Sequence, residues 1–600
     1  MKLQKYFPFK RVGEKMKKTK IVCTIGPASE SEEILEKLML SGLNVARLNF
    51  SHGDHEEHRN RIRNIKKIRE KLDLPIGIML DTKGPEIRLK NFKDDGVELV
   101  DNQEFTLTTR EVLGDEKIVG VSYEGLASDV KSGDTILIDD GLIELEVIEV
   151  VKDTDIRCIV KNGGSVKDHK GVNVPGVKIN LPAVTQKDID DIIFGIENGI
   201  DFIAASFIRK AEDVFDIRKI LEENGGDYIH IISKIENQEG VENIEEIINV
   251  SDGIMVARGD LGVEIETEEI PIIQKEIIKK CNEVGKPVIT ATQMLDSMIR
   301  NPRPTRAEVT DVANAIFDGT DSIMLSGETA AGKYPLEAVK TMHNIAMRTE
   351  DSLDYKKLLK EKSKNRGIST TNAISKATCT TAEDLGASAI ITATSSGFTA
   401  SAVSKFRPKA PIIAATITEQ IRRRMALLWG VYPVLSLKSV STDEVIDLSI
   451  HSALEKGYIK QGDLIVITAG IPVGVSGTTN LIKVHTVSEV LLKGVGIGNK
   501  AISGKVIIGN TKEELEGKFE EGDILVCTCT DKDTVPYMEK ASAIVSEQGG
   551  LTSHAAIVGL NLDKPTIVGV EKATEVLKVG DIVTVDSITG SIYKGEARVL

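Results

Sequence analysis

Short apolar runs alternate with amphipathic stretches along residues 20–329 of this 600-residue chain. In Glu32–Leu40 and Ile272–Val284, for example, apolar residues recur at helical spacing. Eight such β/α units close into a barrel whose active site lies at the carboxyl ends of the strands. The pattern therefore predicts a (β/α)8 TIM barrel, split into residues 17–85 and 181–350. Its predicted strands are Ile21–Ile25, Val45–Asn49, Ile76–Asp81, Phe202–Phe207, Ile229–Ile235, Ile254–Ala257, Pro287–Thr292 and Ile323–Ser326.

Residues 86–180 interrupt this alternation. They carry short segments of alternating polarity separated by Gly-Asp and Asp-Asp-Gly turns, and they show no helical pattern. We therefore expect an all-β domain inserted after the third barrel strand. Because two chain segments join it to the barrel, this domain has the connections of a lid that closes over the site. Its predicted strands are Glu104–Thr108, Thr135–Asp139, Ile143–Val150 and Asp155–Val160.

Residues 351–485 return to alternating strands and helices. They predict a doubly wound α/β domain, with ligands at the carboxyl ends of its strands. Thr392–Thr399 lies at such an end. Its hydroxyls and amides, followed by a helix, form either a phosphate-binding nest or an ordinary polar turn. The predicted elements are the strands Ala389–Thr394, Pro411–Thr416, Val434–Leu437 and Leu464–Ala469 and the helix Ala373–Leu385.

The two ends of the chain differ from these units. Residues 1–16 are expected to be an extension without a functional role. Spaced glycines mark residues 486–503 as a linker, and residues 504–600 are expected to form a further domain rich in short strands. In this block His554 begins an apolar helix behind two glycines. It either carries or contacts phosphate, or is merely the neighbour of a capping Ser553. The predicted strands are Lys505–Ile508, Ile524–Thr528, Ala543–Val545, Thr566–Val568 and Ile582–Val585.

Charged residues end two neighbouring apolar runs of the barrel. Lys234 and Glu236 point the same way because side chains alternate faces along a strand, and Asp260 ends the next run. Two carboxylates suit Mg²⁺, which takes few protein carboxylates, and lysine supplies a mobile charge for phosphate. The alternative is a purely structural cluster of ion pairs. The polar segments Arg47–His52 and Asp81–Arg88, which follow other runs, favour a binding site at this mouth.

Composition narrows the choice of partners. The formal net charge is −15 and the sequence pI is about 5.3. This acidity argues against nucleic acid as the main partner, so local positive charge must hold any anionic substrate. No apolar run approaches the length of a membrane span, and no signal-peptide pattern is visible. We therefore expect a cytoplasmic protein that binds no membrane.

Residues 17–480 resemble the pyruvate kinase family throughout. The resemblance implies phosphoryl transfer from phosphoenolpyruvate to ADP, giving pyruvate and ATP, which is the last step of glycolysis. It also implies a homotetramer. The motifs that carry it are Lys20–Pro27, Ala46–Gly53, Leu80–Arg88, Lys170–Gly176, Ile232–Asn237, Val256–Gly262, Thr290–Leu295 and Leu325–Thr329.

The resemblance implies a role for each matching residue at the barrel mouth. Glu236 and Asp260 hold Mg²⁺ or Mn²⁺. Lys234 neutralises the phosphoryl group in flight, and Arg47 clamps the phosphate. The backbone of Gly259 and Asp260 receives the substrate carboxylate.

A further set of residues is implied in proton transfer and nucleotide binding. Thr292, a substrate contact, lies where the enolate is protonated, with Ser326 and Glu328 in its proton relay. Because a threonine hydroxyl is a poor acid, we expect Thr292 to position the proton donor or water. Arg88 and Lys170 reach the nucleotide phosphates as the inserted domain closes. The implied nucleotide-binding set also includes Asn49, Phe50, Ser51 and His52.

The resemblance further implies a potassium site of hard oxygen donors. Glu86 indicates potassium dependence, because dependent members of the family carry glutamate here and independent members carry lysine. Leu89 departs from the threonine often found at its position. We predict that activity depends on K⁺. The implied ligands are Asn49, Ser51, Asp81 and the Thr82 carbonyl.

One segment of the α/β domain matches the family's effector phosphate loop. Members activated by a sugar bisphosphate also use a tryptophan and an arginine in a later loop, here Gly470–Thr479, which has neither. A partly buried pair of charges is not readily replaced. We therefore expect activation by a monophosphate such as AMP or ribose 5-phosphate rather than by fructose 1,6-bisphosphate. The implied effector ligands are Thr394, Ser395, Ser396, Gly397 and Thr399.

The last hundred residues resemble the swivelling phosphohistidine domain of phosphoenolpyruvate-using enzymes such as pyruvate phosphate dikinase, and they retain His554. Those enzymes also need an ATP-grasp domain to load or unload the histidine, and no stretch of this chain resembles one. We favour a structural or regulatory appendage. The alternative is a phosphoenolpyruvate-dependent phosphotransferase that uses His554 as phosphocarrier.

Overall fold

The computed structural model describes residues 16–94, 96–363, 369–439, 441–471 and 477–597. Apart from Met16, the predicted extension at residues 1–16 lies outside them. Across these ranges, no helix combines the length and apolar character needed to cross a bilayer.

Eight parallel strands form a closed barrel in which neighbours along the chain are also neighbours in space. The prediction of a TIM barrel is therefore confirmed. The first and last strands pair in parallel, with Lys20 beside Ser322, and this pairing closes the cylinder. The strands are Lys20–Thr24, Val45–Asn49, Gly77–Asp81, Phe202–Ala205, His230–Ile235, Gly253–Ala257, Val288–Ala291 and Ser322–Leu325.

The barrel strands are buried on both faces, which explains their uninterrupted apolar runs. One set of side chains packs against the surrounding helices, and another, which includes Phe202 and Met255, fills the cylinder. Capping boxes at Thr185 and Thr305 begin two of the helices. The helices are Glu32–Leu40, His55–Leu72, Gln186–Glu197, Ala211–Glu223, Gln238–Glu242, Ile244–Val250, Arg258–Glu264, Ile270–Val284, Arg306–Asp318, Gly327–Ala330 and Pro335–Asp351, with a 3-10 turn at Asp296–Ile299.

The insertion is an all-β domain with a seven-stranded sheet and a two-stranded ribbon that pairs Gly96–Leu99 with Gly164–Lys167. It also contains one helical turn, Leu126–Asp129, where no helix is predicted. The Tyr123 hydroxyl donates to Asp129 at 2.7 Å, a local contact that leaves no periodic pattern. The strands of the larger sheet are Ile87–Arg88, Glu104–Thr108, Ile118–Gly120, Thr135–Ile138, Ile143–Val151, Asp155–Asn162 and Gly171–Asn173.

The α/β domain has four parallel strands in the spatial order third, second, first, fourth, and a fifth, antiparallel strand at Leu481–Thr486. The order reverses between the first and fourth strands, where doubly wound sheets bind ligands. The strand predicted at Val434–Leu437 begins earlier, at Val431, because Pro433 is tolerated at the sheet edge. The other strands are Ala389–Ala393, Ile412–Thr416 and Leu464–Ala469. The helices are Tyr355–Lys362, Thr370–Asp384, Phe398–Ser404, Glu419–Arg424 and Thr442–Glu455, with a 3-10 turn at Met425–Leu427.

The α/β domain closes the end of the barrel opposite to the predicted site. Leu427 packs among the side chains that fill the cylinder. Arg407 pairs with Asp321 at 2.7 Å, and Arg423 pairs with Asp201 at 2.8 Å. Both aspartates directly precede a barrel strand, so these contacts lie at the amino ends of the strands. The carboxyl ends are left facing the insertion.

The last domain is an eight-stranded sheet that begins earlier than predicted. Residues 486–503, predicted as a linker, contribute Val490–Lys493 and Val495–Ile497 to this sheet. Their glycines serve close packing instead, since a Cβ at Gly496 would collide with the Ser587 carbonyl oxygen. The remaining strands are Ala501–Ile508, Ile524–Cys527, Ala543–Ser546, Thr566–Val568, Ile582–Asp586 and Ser591–Lys594. The helices are Lys512–Leu515, Val535–Lys540, His554–Asn561 and Ala573–Val576.

Candidate active site

Lys234 lies at the mouth of the barrel with its ammonium group fully engaged. Its Nζ lies 2.8 Å from Glu236 Oε1, 3.2 Å from Asp81 Oδ1 and 2.8 Å from Ser206 Oγ. These three partners match the three N–H bonds of an ammonium group. They come from the carboxyl ends of three adjacent strands, so the barrel itself fixes the orientation of Lys234.

Asp81 joins Lys234 to a second cation. Its Oδ2 accepts a hydrogen bond of 2.6 Å from Arg47 Nε, and Arg47 Nη1 donates to Thr24 Oγ1 at 2.8 Å. Asp81 is 1% exposed and Arg47 is 8% exposed. This shared carboxylate therefore holds two cations side by side at the barrel mouth, an arrangement that suits an anionic phosphate group.

The pKa values in this cluster follow from burial and from the neighbouring charges. Burial acts to raise the pKa of Asp81, but Arg47 and Lys234 outweigh it and hold that pKa below its usual range. Burial acts to lower the pKa of Lys234, but Asp81 and Glu236 together raise it. Burial raises the pKa of Glu236 to about 7, an effect that Lys234 opposes and Asp260 strengthens.

Glu236 and Asp260 fit a divalent cation. Glu236 Oε2 accepts the Phe207 N–H at 2.6 Å, and Asp260 lines an open cleft beneath the inserted domain. The open cleft beside Asp260 leaves room for water and substrate oxygens, which Mg²⁺ requires in its shell. A cation between the two carboxylates would also offset the burial and the repulsion from Asp260 that together raise the pKa of Glu236.

The turn after the seventh barrel strand is strained and tightly held. Thr292 and Gln293 have φ angles of 65° and 52°, in the left-handed region. Thr292 Oγ1 donates to the Ala291 carbonyl at 2.7 Å and accepts the Gly259 N–H at 2.8 Å. The backbone amide predicted to receive the substrate carboxylate therefore points at the Thr292 hydroxyl. Arg258 holds the same turn, because it donates to the carbonyls of Ala291 at 3.0 Å and Thr292 at 2.7 Å.

Glu328 is a buried anchor between two loops at the mouth. Its Oε1 accepts the Leu295 N–H at 3.0 Å, and its Oε2 accepts the Ser326 N–H at 2.7 Å. Burial raises the pKa of Glu328. Glu328 thus ties Ser326 to Leu295, which follows Thr292 by three residues. Their part in a proton relay stays a prediction.

The predicted potassium ligands lie at the ends of the second and third barrel strands. Asn49 Oδ1 accepts the Ser51 N–H at 3.1 Å, and the Thr82 carbonyl accepts the Ser206 hydroxyl at 2.6 Å. Each of these oxygens has a second lone pair. The donor set is therefore compatible with an alkali cation.

An open cleft of about 340 Å³ separates the inserted domain from the barrel mouth. Arg88 and Lys170 line it from the inserted domain, and Asp260 lines it from the barrel. Both cations already have an acceptor: Arg88 pairs with Glu86 at 2.6 Å, and Lys170 pairs with Asp139 at 2.8 Å. The cleft therefore has two cations, each paired with a carboxylate, opposite the carboxylates of the barrel.

One residue of the predicted nucleotide-binding segment, Phe50, lies in the core. Its side chain is 1% exposed and stacks on His58 with ring centres 3.9 Å apart. Its carbonyl accepts Lys187 Nζ at 2.9 Å. The ring therefore stabilises the packing of the barrel and offers no surface to a nucleotide base, whereas His52 is exposed.

A second pocket, of about 180 Å³, lies where the strand order of the α/β sheet reverses. Thr394–Thr399 forms one wall. The Gly397 N–H donates to Thr394 Oγ1 at 2.9 Å, and the φ of 88° at Gly397 is readily adopted only by glycine. Thr399 Oγ1 lies 3.1 Å from Thr479 Oγ1, which joins this wall to the later loop.

Positive charge in this pocket comes from Lys438, the one cation among its described lining residues. Ser395 and Ser396 also line it. Residues 472–476 of the later loop lie outside the described part of the chain. One lysine with several hydroxyls matches the needs of a single phosphate group.

His554 begins the helix His554–Asn561 of the last domain, as predicted. Ser553 caps this helix by accepting the Ala556 N–H at 3.4 Å. His554 Nδ1 lies 2.8 Å from Thr530 Oγ1, which orients the imidazole. A capping serine and an oriented histidine are therefore both present.

Three neighbours of the site are missing from the sequence predictions: Ser206, Arg258 and Thr24. Each lies at or just after the end of an apolar barrel run, which is the position that marks the active face of a barrel. The sequence shows this position at the end of each run. It does not show the hydrogen-bond partners of these residues, because the partners depend on which strands lie side by side.

Comparison with known proteins places the geometry in one family. The family model for the barrel domain of pyruvate kinase matches residues 16–339, and the model for its alpha/beta domain matches residues 372–485. The model for the mobile domain of PEP-utilising enzymes matches residues 519–590.

Similar proteins extend over almost the whole chain. The pyruvate kinase of Bacillus licheniformis is 56% identical over 586 residues, covering 98% of this chain and 100% of that protein. That of Geobacillus stearothermophilus is 56% identical over 585 residues, covering 97% of this chain and 100% of that protein. The crystal structure of a pyruvate kinase from Cryptosporidium parvum superposes with a TM-score of 0.75 at 42% identity, over 78% of this chain and 96% of that one.

Proposed function

The chain belongs to the pyruvate kinase family, and from this premise we propose how its barrel mouth transfers a phosphoryl group from phosphoenolpyruvate to ADP. The observation that carries the proposal is the buried cluster of Lys234, Glu236, Asp81 and Arg47 at the carboxyl ends of the barrel strands. In phosphoryl transfer, negative charge spreads over the oxygens of the moving group, and fixed positive charge is the main catalytic device. Lys234 and Arg47 supply that charge.

Glu236 and Asp260 would hold Mg²⁺ or Mn²⁺, and the bound ion would supply further positive charge to the substrate oxygens. The remaining tasks fall to the side chains of the protein. Lys234 stays protonated at neutral pH because its pKa is raised, so it faces the moving group as a cation. Arg47 stays oriented by Asp81 and holds the phosphate before transfer.

The product is released as pyruvate only after the enolate gains a proton. We assign the positioning of that proton to Thr292, whose hydroxyl and φ of 65° are fixed by the strained turn. Ser326 and Glu328 complete the proposed relay. Since both oxygens of Glu328 accept backbone N–H groups, its first task is to hold Ser326 in place.

ADP enters the cleft below the inserted domain. Arg88 and Lys170 reach its phosphates when the domain closes, and they exchange Glu86 and Asp139 for phosphate oxygens as partners. The exchange is favourable because a phosphate carries more negative charge than a carboxylate. Closure also excludes water from the phosphoryl group.

K⁺ would bind to Asn49, Ser51, Asp81 and the Thr82 carbonyl. Hard oxygen donors and the buried charge of Asp81 support this assignment. The family marker Glu86 supports it as well. Equal activity with K⁺ and without any monovalent cation would contradict it.

The pocket of the α/β domain would bind a phosphorylated activator, with AMP or ribose 5-phosphate favoured. Lys438, the one lysine among the described residues that line it, supports a monophosphate. The family further favours a homotetramer in the cytoplasm. Sedimentation in the presence and absence of the activator tests the assembly.

A phosphocarrier role for His554 is the second candidate. The contact between its Nδ1 and the Thr530 hydroxyl favours it, because that contact leaves Nε2 to accept a phosphoryl group. We still favour an appendage, since no ATP-grasp domain accompanies the histidine in this sequence.

A coupled assay with phosphoenolpyruvate, ADP and Mg²⁺, with and without K⁺, tests the main proposal. Lys234→Met should lower kcat by about 100- to 1000-fold or more, the usual loss for one charge-stabilising donor. Asp81 keeps Arg47 as its partner in this variant, so the fold should persist. Turnover near the wild-type rate in Lys234→Met would refute the assignment.

A further inference from the structure

Ser206 lies at a junction between two parts of the barrel mouth. It follows the strand Phe202–Ala205 and is 3% exposed. Its hydroxyl oxygen lies 2.8 Å from Lys234 Nζ and 2.6 Å from the Thr82 carbonyl oxygen. Its backbone N–H also donates to Thr82 Oγ1 at 3.1 Å. Ser206 therefore touches the lysine that handles the phosphoryl group and a proposed ligand of the alkali cation.

The chemistry of these groups fixes the direction of both hydrogen bonds. An ammonium group only donates, and a carbonyl oxygen only accepts. The single hydroxyl proton of Ser206 must therefore go to Thr82, and its oxygen must accept from Lys234. Neither bond can reverse, so the hydroxyl has one orientation. A rotation of the Thr82 carbonyl would therefore move the Ser206 hydroxyl and, through it, the ammonium group of Lys234.

Ser206 differs from the other two partners of Lys234. Asp81 and Glu236 are carboxylates whose negative charge competes with an incoming phosphate for the lysine. A neutral hydroxyl does not compete in this way. Ser206 is therefore the partner of Lys234 whose contact does not oppose the binding of a phosphate.

The backbone after Ser206 reinforces this arrangement. Phe207 has a φ of 55°, in a region that bulky residues rarely adopt. Its N–H donates to Glu236 Oε2 at 2.6 Å. Such strain persists where the surrounding contacts over-determine the backbone. The turn at Ser206 and Phe207 thus orients Lys234 through a side chain and Glu236 through a backbone amide.

We propose that Ser206 is a positioning residue that couples the alkali-cation site at the Thr82 carbonyl to Lys234. A cation on that carbonyl fixes its direction, the carbonyl fixes the hydroxyl, and the hydroxyl fixes the ammonium group. The inference rests on the proposed function, because it assigns phosphoryl transfer to Lys234. Loss of this one hydroxyl should therefore weaken both turnover and the response to K⁺.

Ser206→Ala removes the coupling, and Ser206→Thr keeps a hydroxyl. We expect Ser206→Ala to lower kcat by about 10- to 100-fold, the value of one hydrogen bond to a charged group, and to raise half-saturating K⁺ several-fold. Ser206→Thr should keep most of the wild-type kcat and most of the response to K⁺. Thermal unfolding at increasing K⁺, without substrates, gives a readout independent of turnover, and Ser206→Ala should need more K⁺ for the same rise in Tm.

Ser233→Ala is the matched control. Ser233 is fully buried beside Lys234 in the same strand, but its hydroxyl pairs with Ser251 Oγ at 2.6 Å. Removing it deletes a comparable hydrogen bond, and both kcat and the K⁺ response should persist. If Ser206→Ala fails to fold, Ser206→Cys takes its place, because a thiol donates only weakly.

The outcomes separate the two levels of the proposal. An inactive wild-type protein would refute the proposed function. An active wild type, with Ser206→Ala unchanged in kcat and in half-saturating K⁺, would refute the coupling alone. Equal losses in Ser233→Ala and Ser206→Ala would also refute it, because they would show that any buried hydroxyl has the same effect.

Discussion

Arg258→Lys tests whether the strained turn at Thr292 is held in place for catalysis. Arg258 spreads its guanidinium group over several acceptors, which include two backbone carbonyls and one carboxylate. Its Nε lies 3.0 Å from the Ala291 carbonyl, its Nη2 lies 2.7 Å from the Thr292 carbonyl and its Nη1 lies 2.8 Å from Asp311 Oδ1. A lysine keeps the charge, but it presents all its donors from one nitrogen and cannot span these positions.

The expected magnitude follows from these contacts. A lysine that retains Asp311 loses both carbonyl bonds, each worth about 1.5–3 kcal/mol from a charged donor. The left-handed φ angles of Thr292 and Gln293 store about 1–3 kcal/mol each, so the turn relaxes when its clamp weakens. Water will donate some of the hydrogen bonds that these carbonyls lose, which reduces the cost. If about 1.5–3 kcal/mol is lost from the transition state, kcat falls by about 10- to 100-fold.

Two assays distinguish a displaced turn from a general loss of fold. The coupled assay with phosphoenolpyruvate and ADP gives kcat and KM. Exchange of the pyruvate methyl protons with D₂O, followed by NMR, reports on the proton step assigned to Thr292. Both rates should fall together in Arg258→Lys. KM for ADP should change little, because Arg88 and Lys170 do not contact the turn.

Arg218→Lys is the matched control for this prediction. Arg218 also binds one carbonyl and one aspartate, Ile229 at 3.3 Å and Asp252 at 2.7 Å, but it does so at the amino ends of the strands. Side chains at that end of a barrel contribute mainly to stability and do not contact the substrate. Arg218→Lys should lower Tm and keep kcat. An unchanged kcat in Arg258→Lys, or a lower kcat with unchanged methyl exchange, would refute the reasoning.

Three further predictions concern the regions outside the barrel mouth. Lys438→Met should raise the activating concentration of AMP or ribose 5-phosphate by about tenfold, because it removes the charged donor of the pocket, and should leave basal turnover intact. Deletion of residues 488–600 should retain turnover, since 78% of this chain spans 96% of the Cryptosporidium parvum enzyme; a large loss matched by His554→Ala would favour the phosphocarrier instead. Arg423→Ala should weaken activation more than basal turnover, as titrations with the activator would show, because it breaks a contact between domains.

Sequence periodicity predicted the barrel well because the barrel strands impose a strong pattern. All eight apolar runs became strands, and Lys234 and Glu236 emerged on one face because the alternation along a strand is strict. The strands of the last domain were harder to predict from the sequence. Strands such as Val490–Lys493 and Val495–Ile497 are short and interrupted by glycines, so their sequence reads as a linker until their partners are known.

The chemistry of individual residues was predictable, but their pairings were not. Asp81 lies 34 residues from Arg47 and 153 from Lys234, and no local pattern shows that it bridges them. The same holds for Ser206, whose partner Thr82 lies 124 residues away. Phe50 shows the converse case, because its side chain packs in the core although it lies inside a functional motif. Motifs identify the segments at a site, whereas the packing of the strands decides which side chains meet.

The α/β domain and the chemistry lie at opposite ends of the same barrel strands. Arg423 binds Asp201, which directly precedes the strand Phe202–Ala205, and Ser206 directly follows it. A strand rises about 3.3 Å per residue, so Asp201 and Ser206 are separated by about 16 Å. The strand is buried on both faces in a close-packed interior, so little free volume is available to absorb a shift at its amino end. We therefore predict that a displacement of the α/β domain at Asp201 shifts Ser206, which contacts Lys234.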